Sequence, residues 1–237
     1  MIYNDGEVNR MKQYRKRIAD QILADKLEAK GAVLIEGPKW CGKTTTATQI
    51  AKSTIYMQDP AKKIQNLKMA ELEPALLLEG ETPRLIDEWQ LAPQLWDAVR
   101  FEVDKRDEFN QFILTGSSVP AGDMTTSHLG TGRISRMVMR PMTLYESGDS
   151  NGSISLAELF KEQKDFAVRS ELDIRRIAYL ICRGGWPKAL DQNERIALRQ
   201  AYDYYDAVVA SDISQADGVT RNPQRVKLLM RSYSRFI

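Results

Sequence analysis

The most specific chemistry in the chain sits in the run Gly37-Pro38-Lys39-Trp40-Cys41-Gly42-Lys43-Thr44, which fits the pattern G-x-x-x-x-G-K-[ST] at every position. Its glycines let the backbone curl until successive N–H groups point inward at phosphate oxygens. Lys43 is placed to reach β- and γ-phosphates, and the Thr44 hydroxyl to hold Mg²⁺. Thr45 opens a helical stretch whose N-terminus adds partial positive charge. The flanks are those the pattern needs. Apolar Ala32-Val33-Leu34-Ile35 precedes it, and residues 45–52 follow with Ala47, Ile50 and Ala51 on one helical face. The alternative, an ordinary glycine turn, does not require that strand–loop–helix context. The implied ligand is a nucleoside triphosphate with Mg²⁺.

Two acids supply the complementary chemistry. Asp87-Glu88 closes the short strand pattern Arg84-Leu85-Ile86. One carboxylate, Asp87, would neutralise metal, and the other, Glu88, would polarise an attacking water and take its proton. Thr115, Ser117 and Ser118 follow a further apolar run, Phe112-Ile113-Leu114. A hydroxyl from Thr115 or Ser117 can bond a γ-phosphate or the lytic water, and simple turn chemistry explains the same residues. Arg133 and Arg136 follow a glycine-containing loop. Either can stabilise transition-state charge on a neighbouring subunit's nucleotide, or sit in a surface ion pair. His128, the lone histidine, has no Cys or His at metal-ligand spacing and reads as a loop residue. Trp40, at the loop tip, reads as packing, with nucleotide or partner contact as the alternative.

These residues need a scaffold that brings strand ends together, and the periodicity supplies one. Residues 11–30 read as a charged helix with Ile18, Ile22, Leu23 and Leu27 on its apolar stripe. Its basic first half reads as a solvated face. Strand patterns fall at 32–36, 54–57, 84–88, 112–114 and 134–139. Helical patterns fall between them, at 45–52, at 61–79 with a break near Pro74, and at 93–106. Strands alternating with helices predict a three-layer α/β/α core with a parallel sheet. The loop 120–132 is Thr/Gly-rich. A Gly/Ser/Asp-rich linker at 146–155 leads to helical patterns at 156–164, 171–183, 193–212 and 223–236. The expected organisation is a core over 1–145 and a helical lid over 155–237.

Bulk properties exclude several classes. A net charge of +2 is too balanced to mark nucleic acid or an anionic membrane as partner. Two cysteines, Cys41 and Cys182, make no disulfide framework and fit a reducing, cytoplasmic compartment. No apolar run has the length of a membrane span, and the basic N-terminus has no apolar core behind it.

Together these residues resemble the AAA-superfamily ATPases of bacteria and archaea described simply as ATP-binding proteins. The phosphate loop is similar through Thr46. So are Arg84-Leu85-Ile86-Asp87-Glu88-Trp89-Gln90 as the acidic strand, Phe112-Ile113-Leu114-Thr115-Gly116-Ser117 as a sensor strand, and Gly132-Arg133 as an arginine segment. Gly184-Gly185-Trp186-Pro187 resembles the Gly-x-Pro lid element of related signalling ATPases, which implies that Pro187 sits by adenine. The resemblance also implies a C-terminal domain with a nuclease-like fold, absent from this sequence. The apolar periodicity running to Phe236-Ile237 adds to the expectation of a truncated chain.

The leading expectation is therefore an ATP-hydrolysing switch or motor module that can act as a homo-oligomer. A phosphate-loop phosphotransferase for a small molecule is the alternative that needs an acceptor pocket. A third is a nucleotide-binding interaction module with negligible turnover. A GTPase is disfavoured because Asp104-Lys105-Arg106-Asp107 begins with an acid where the base-reading motif needs Asn or Thr.

Overall fold

The computed structural model describes residues 14–116, 132–161, 167–214 and 219–236. Ser117, Ser118, His128 and most of the 120–132 loop lie outside the described residues. Five strands form one parallel sheet: β1 (Ala32–Glu36), β2 (Ser53–Tyr56), β3 (Arg84–Asp87), β4 (Phe112–Gly116) and β5 (Ile134–Val138). Their spatial order is β2-β3-β4-β1-β5. Interior β1, between β4 and β5, is buried on both faces from Ala32 to Ile35, so its sequence is a continuous apolar run rather than an alternation.

Alternate residues nonetheless serve different layers. Leu34, Ile86, Phe112 and Leu114 face one side, where α4 (Leu95–Arg106) buries Leu95, Trp96, Val99 and Val103. Val33, Ile35, Leu85 and Ile113 face the other, against Leu23 and Leu27 of α1 (Ile18–Ala29). The three-layer α/β/α reading is met. Register aligns Asp87 with Thr115, and Thr115 with Ile35. The end of β3, the end of β4 and the loop after β1 therefore open on one sheet edge.

Two helices are shorter than their periodicity suggests. α1 begins at Ile18, because the Asp20 carboxylate accepts the Arg17 backbone N–H at 2.8 Å and caps the helix there. α2 (Lys43–Ala47) gives way to tighter turn bonds, Thr46 O accepting from Gln49 N and Ala47 O from Ile50 N. Three successive threonines lower its helical propensity.

The C-terminal part is helical: α5 (Leu156–Lys161), α6 (Ile174–Arg183), α7 (Glu194–Ala207) and α8 (Pro223–Tyr233), with α3 (Lys63–Leu72) back in the core. Side chains of Asp173, Asn193 and Asn222 cap α6, α7 and α8. On α8 Val226 is buried, while Leu229 and Tyr233 are exposed.

The 146–155 segment has no helix or strand but is firmly tied. Asp149 pairs with Arg183 at 2.9 Å and with Arg176 at 2.8 Å. Arg17 is not part of a solvated basic face either. It is buried at 7% exposure and pairs with Glu146. Among the described residues no helix is long and apolar enough to cross a membrane.

Candidate functional site

The 37–44 loop leaves β1 under tight backbone constraint. Gly37 has φ +148°, and a Cβ there would run into the Met139 carbonyl just past β5. Only glycine combines that dihedral with that approach. Met139 N–H in turn donates to Glu36 O at 2.7 Å, fixing the loop's entry. Trp40 takes a left-handed conformation, φ +65°, at the loop tip. Its ring lies 5.6 Å from that of Tyr204 on α7, which stacks 4.2 Å from Trp186. The packing reading of Trp40 thus acquires a partner, the C-terminal helices.

Lys43 folds back so that Nζ donates to the carbonyls of Gly37 and Pro38, each at 2.9 Å. Burial pulls its pKa below the ordinary lysine value, against the opposing pull of Glu88 and Asp87. A cation held this way is desolvated, with its ammonium group on neutral carbonyl oxygens of the loop. Lys39 and Thr45 line the same cleft of about 380 Å³, with Glu88, Gln58 and Lys188 on other walls. Cys41 is a free, buried thiol whose pKa burial raises, which removes it as a nucleophile.

Asp87 is the node of the acidic strand end. One oxygen, Oδ1, accepts from Thr44 Oγ1 at 2.6 Å and from Thr115 Oγ1 at 2.6 Å. Asp87 is 3% and Thr115 1% exposed. A hydroxyl and a carboxylate in contact are hard oxygen donors of the kind Mg²⁺ takes alongside phosphates. Among the described residues no group of three or more His, Cys, Asp or Glu side chains forms a metal cage. Glu88 follows in a left-handed conformation, φ +57°, a strained backbone of the kind found at active sites.

Pro187 opens a 3₁₀ turn, Pro187–Ala189, and lines both that cleft and an adjoining one of about 220 Å³. Tyr14, Thr46 and Met142 form other parts of the second cleft. Tyr14 is held by Asp20 at 2.5 Å and Thr46 at 3.0 Å, and burial pushes its phenol pKa well up. Gly185 O accepts from Met142 N at 2.7 Å, so the turn carrying Pro187 is pinned to the end of the core.

Arg133 is not brought to this cleft. It sits at the start of β5, beside Ala32, on the opposite sheet edge. At ~3.3 Å per strand residue that is roughly 16 Å from the loop. Its guanidinium pairs with Asp104 of α4 at the surface. Arg136 pairs with Glu36 at 3.5 Å and lies over the Trp96 ring. Ser117 lies outside the described residues.

Several site residues escaped the motif reading. Arg17 donates to Cys41 O and Arg140 O, each at 2.9 Å, and to Glu146 at 3.0 Å, bracing the loop from behind. Nothing in its spacing announces this. Gln58, Lys188 and Tyr14 belong to no phosphate-loop motif.

Residues 29–147 match the family described as AAA domain, which is half of the chain. The chain belongs to the AAA-domain family. Its fold and glycine loop make this AAA domain a P-loop NTPase. No curated protein matches it in sequence. Among solved structures it is similar to the Walker-type ATPase PABY2304 of Pyrococcus abyssi, at 17% identity and a TM-score of 0.48. That alignment covers 86% of this chain and 76% of the other.

Proposed function

We propose that this AAA domain binds ATP between its core (1–145) and a helical lid (155–237), hydrolyses it to ADP and phosphate, and works as a nucleotide-dependent switch. The observation that carries the reading is the convergence of the Thr44 and Thr115 hydroxyls on one Asp87 carboxylate oxygen beside buried Lys43. In it, Gly37, Pro38, Lys39, Trp40, Cys41, Gly42 and Thr45 form the phosphate cradle and its rim. Lys43 neutralises the terminal phosphates, and Pro187 packs by the adenine. Thr44 and Asp87 would hold Mg²⁺, which when bound neutralises charge building on the phosphate oxygens.

Glu88 acts as the general base. It takes a proton from the water that attacks the γ-phosphorus, while the bond from that phosphorus to the β–γ bridging oxygen breaks. Thr115 stays on Asp87 and steadies it, and Ser117 remains a candidate for the γ-phosphate. Arg133, distant from its own cleft, serves only a neighbouring subunit's nucleotide in a homo-oligomer. Two free cysteines support a reducing, cytoplasmic setting.

The test is phosphate release from ATP by the purified chain, with Mg²⁺ and no added acceptor, beside Lys43→Ala. Mg²⁺-dependent release in the parent is expected, with ATP affinity in the variant lower by ~10–100-fold, the size of a lost charge-assisted contact. Tight ATP binding by Lys43→Ala rejects the site. Phosphate transfer only when a small-molecule acceptor is added replaces hydrolysis with phosphotransfer.

A further inference from the structure

Gln90 is the residue after Trp89 in the tight 3₁₀ turn Trp89–Leu91 that follows β3. Trp89 is 1% exposed and packs its ring 5.2 Å from Trp96, so the turn is anchored in the core. Backbone bonds from Leu91 N to Glu88 O, 3.1 Å, and from Ala92 N to Trp89 O, 2.9 Å, close it. The left-handed backbone of Glu88 folds the chain back on itself, and Gln90 Nε2 donates to Glu88 Oε2. Among the described residues, this is the hydrogen bond that the Gln90 carboxamide makes, its Oε1 being buried without a donor.

Gly116, at the end of β4, leaves room for that carboxamide. A Cβ on Gly116 would stand 2.5 Å from Gln90 Oε1 and 3.2 Å from Trp89 Nε1. Gly116 has no left-handed dihedral to justify glycine. A side chain there would have to push the Gln90 carboxamide out of its place.

From this we infer that Gln90 is a positioning residue for Glu88, its carboxamide clamped between Gly116 and the Glu88 carboxylate so that one carboxylate oxygen is fixed and the other faces the cleft. The inference rests on the proposed hydrolysis and adds to it a residue that touches neither nucleotide nor water. A freely rotating glutamate at a strand end samples several rotamers, and few of them aim an oxygen at an in-line water. Tying Oε2 to a donor that is itself anchored through Trp89 removes that freedom before substrate arrives. Hydrogen bonding to the carboxylate, not packing volume, is the operative property.

Gln90→Met keeps the volume and removes the donor. Gly116→Ala keeps every hydrogen-bonding group and displaces the carboxamide. Steady-state ATPase and fluorescent-ATP binding are measured for the parent, both variants, Glu88→Gln and the Glu88→Gln/Gln90→Met double variant. The expected result is a kcat lower by roughly tenfold or more in both Gln90→Met and Gly116→Ala, since small misplacements of a reacting group cost up to ~100-fold. KM and ATP affinity should stay within about twofold, because the nucleotide is not touched. The double variant should be no slower than Glu88→Gln alone, because Gln90 acts only through the Glu88 carboxylate.

Parental kcat in Gln90→Met overturns the inference while leaving hydrolysis standing. So does a double variant slower than Glu88→Gln by the Gln90→Met factor, or a loss of ATP affinity that parallels the loss of kcat. A parent protein that releases no phosphate overturns the ATPase reading itself, and with it the role of Gln90.

Discussion

Arg17 and Glu146 form a buried ion pair across 129 residues of sequence, with Nε 3.0 Å from Oε1 and both side chains almost wholly covered. Each end is satisfied beyond the pair. Arg17 also donates to the carbonyls of Cys41 and Arg140, and Glu146 also accepts from the N–H groups of Ile18 and Thr143. One cluster therefore ties the start of α1, the phosphate loop and the segment after β5 into a single unit. Burial alone would raise the Glu146 pKa, but the N–H donors and the guanidinium outweigh it and hold the carboxyl below its ordinary value.

That shift fixes a pH dependence. A carboxylate whose folded-state pKa is depressed adds stability above its unfolded value and loses it as pH falls through the folded one. Thermal stability of the parent should therefore decline as pH drops below about 4.5, the ordinary glutamate value. Glu146→Gln should be less stable at neutral pH, and its deficit should shrink towards low pH. Arg17→Ala, which strands a buried carboxylate, should cost ~3–5 kcal/mol at neutral pH. Denaturant melts of the three proteins at several pH values check this. A Glu146→Gln deficit that does not change with pH contradicts the assignment.

The acid pair should divide its work. Glu88→Gln keeps the shape of the side chain and should hold ATP as the parent does, with turnover lower by at least ~100-fold, as expected when a general base is lost. Asp87→Asn should instead weaken Mg²⁺-dependent nucleotide binding, because the oxygen shared by Thr44 and Thr115 loses its charge. Calorimetric titrations with and without Mg²⁺, alongside phosphate release, separate the two. Normal hydrolysis by both variants would leave the pair as ordinary structural acids.

The sheet was legible because its strands carry their own signature. Val33, Leu34 and Ile35 are apolar on both faces, and turn residues bound each run. The phosphate loop and Asp87 were legible for a related reason, since local spacing encodes them. Arg17 and Glu146 were not, because a contact across 129 positions leaves no periodic trace and each residue alone reads as solvated. Gln90 fell between, inside a quoted motif yet without a role until the left-handed turn at Glu88 brought it back. The place of Arg133 was available from topology alone. In a parallel sheet the start of β5 must lie on the edge opposite the loop that follows β1.

The Trp40–Tyr204–Trp186 cluster joins the loop tip to α7 and should report nucleotide binding. When phosphates enter the cradle, the loop carrying Trp40 should shift against Tyr204. Intrinsic tryptophan fluorescence should change on adding Mg²⁺-ATP, and Trp40→Phe should remove most of the change while binding persists. Tyr204→Ala should leave phosphate contacts intact but weaken affinity by several-fold, through loss of an aromatic contact worth ~0.5–1.5 kcal/mol. An unchanged fluorescence response in Trp40→Phe would show that the signal arises elsewhere.

Arg133 provides the test of assembly. Its partner Asp104 holds it at the surface, and its own cleft lies at the other end of the sheet. Any role in catalysis therefore has to be exercised on another subunit. Arg133→Ala should leave ATP affinity unchanged and lower hydrolysis only under conditions where the protein self-associates. Mixing Arg133→Ala with Glu88→Gln should then recover part of the activity, because some interfaces combine an intact glutamate on one side with an intact arginine on the other. Light scattering establishes association in the same samples. If the two variants associate and no activity returns, Arg133 is confined to its ion pair with Asp104. If Arg133→Ala hydrolyses ATP at the parental rate, the transition-state charge is met by cations already in the cleft, Lys43 first among them and Lys188 next.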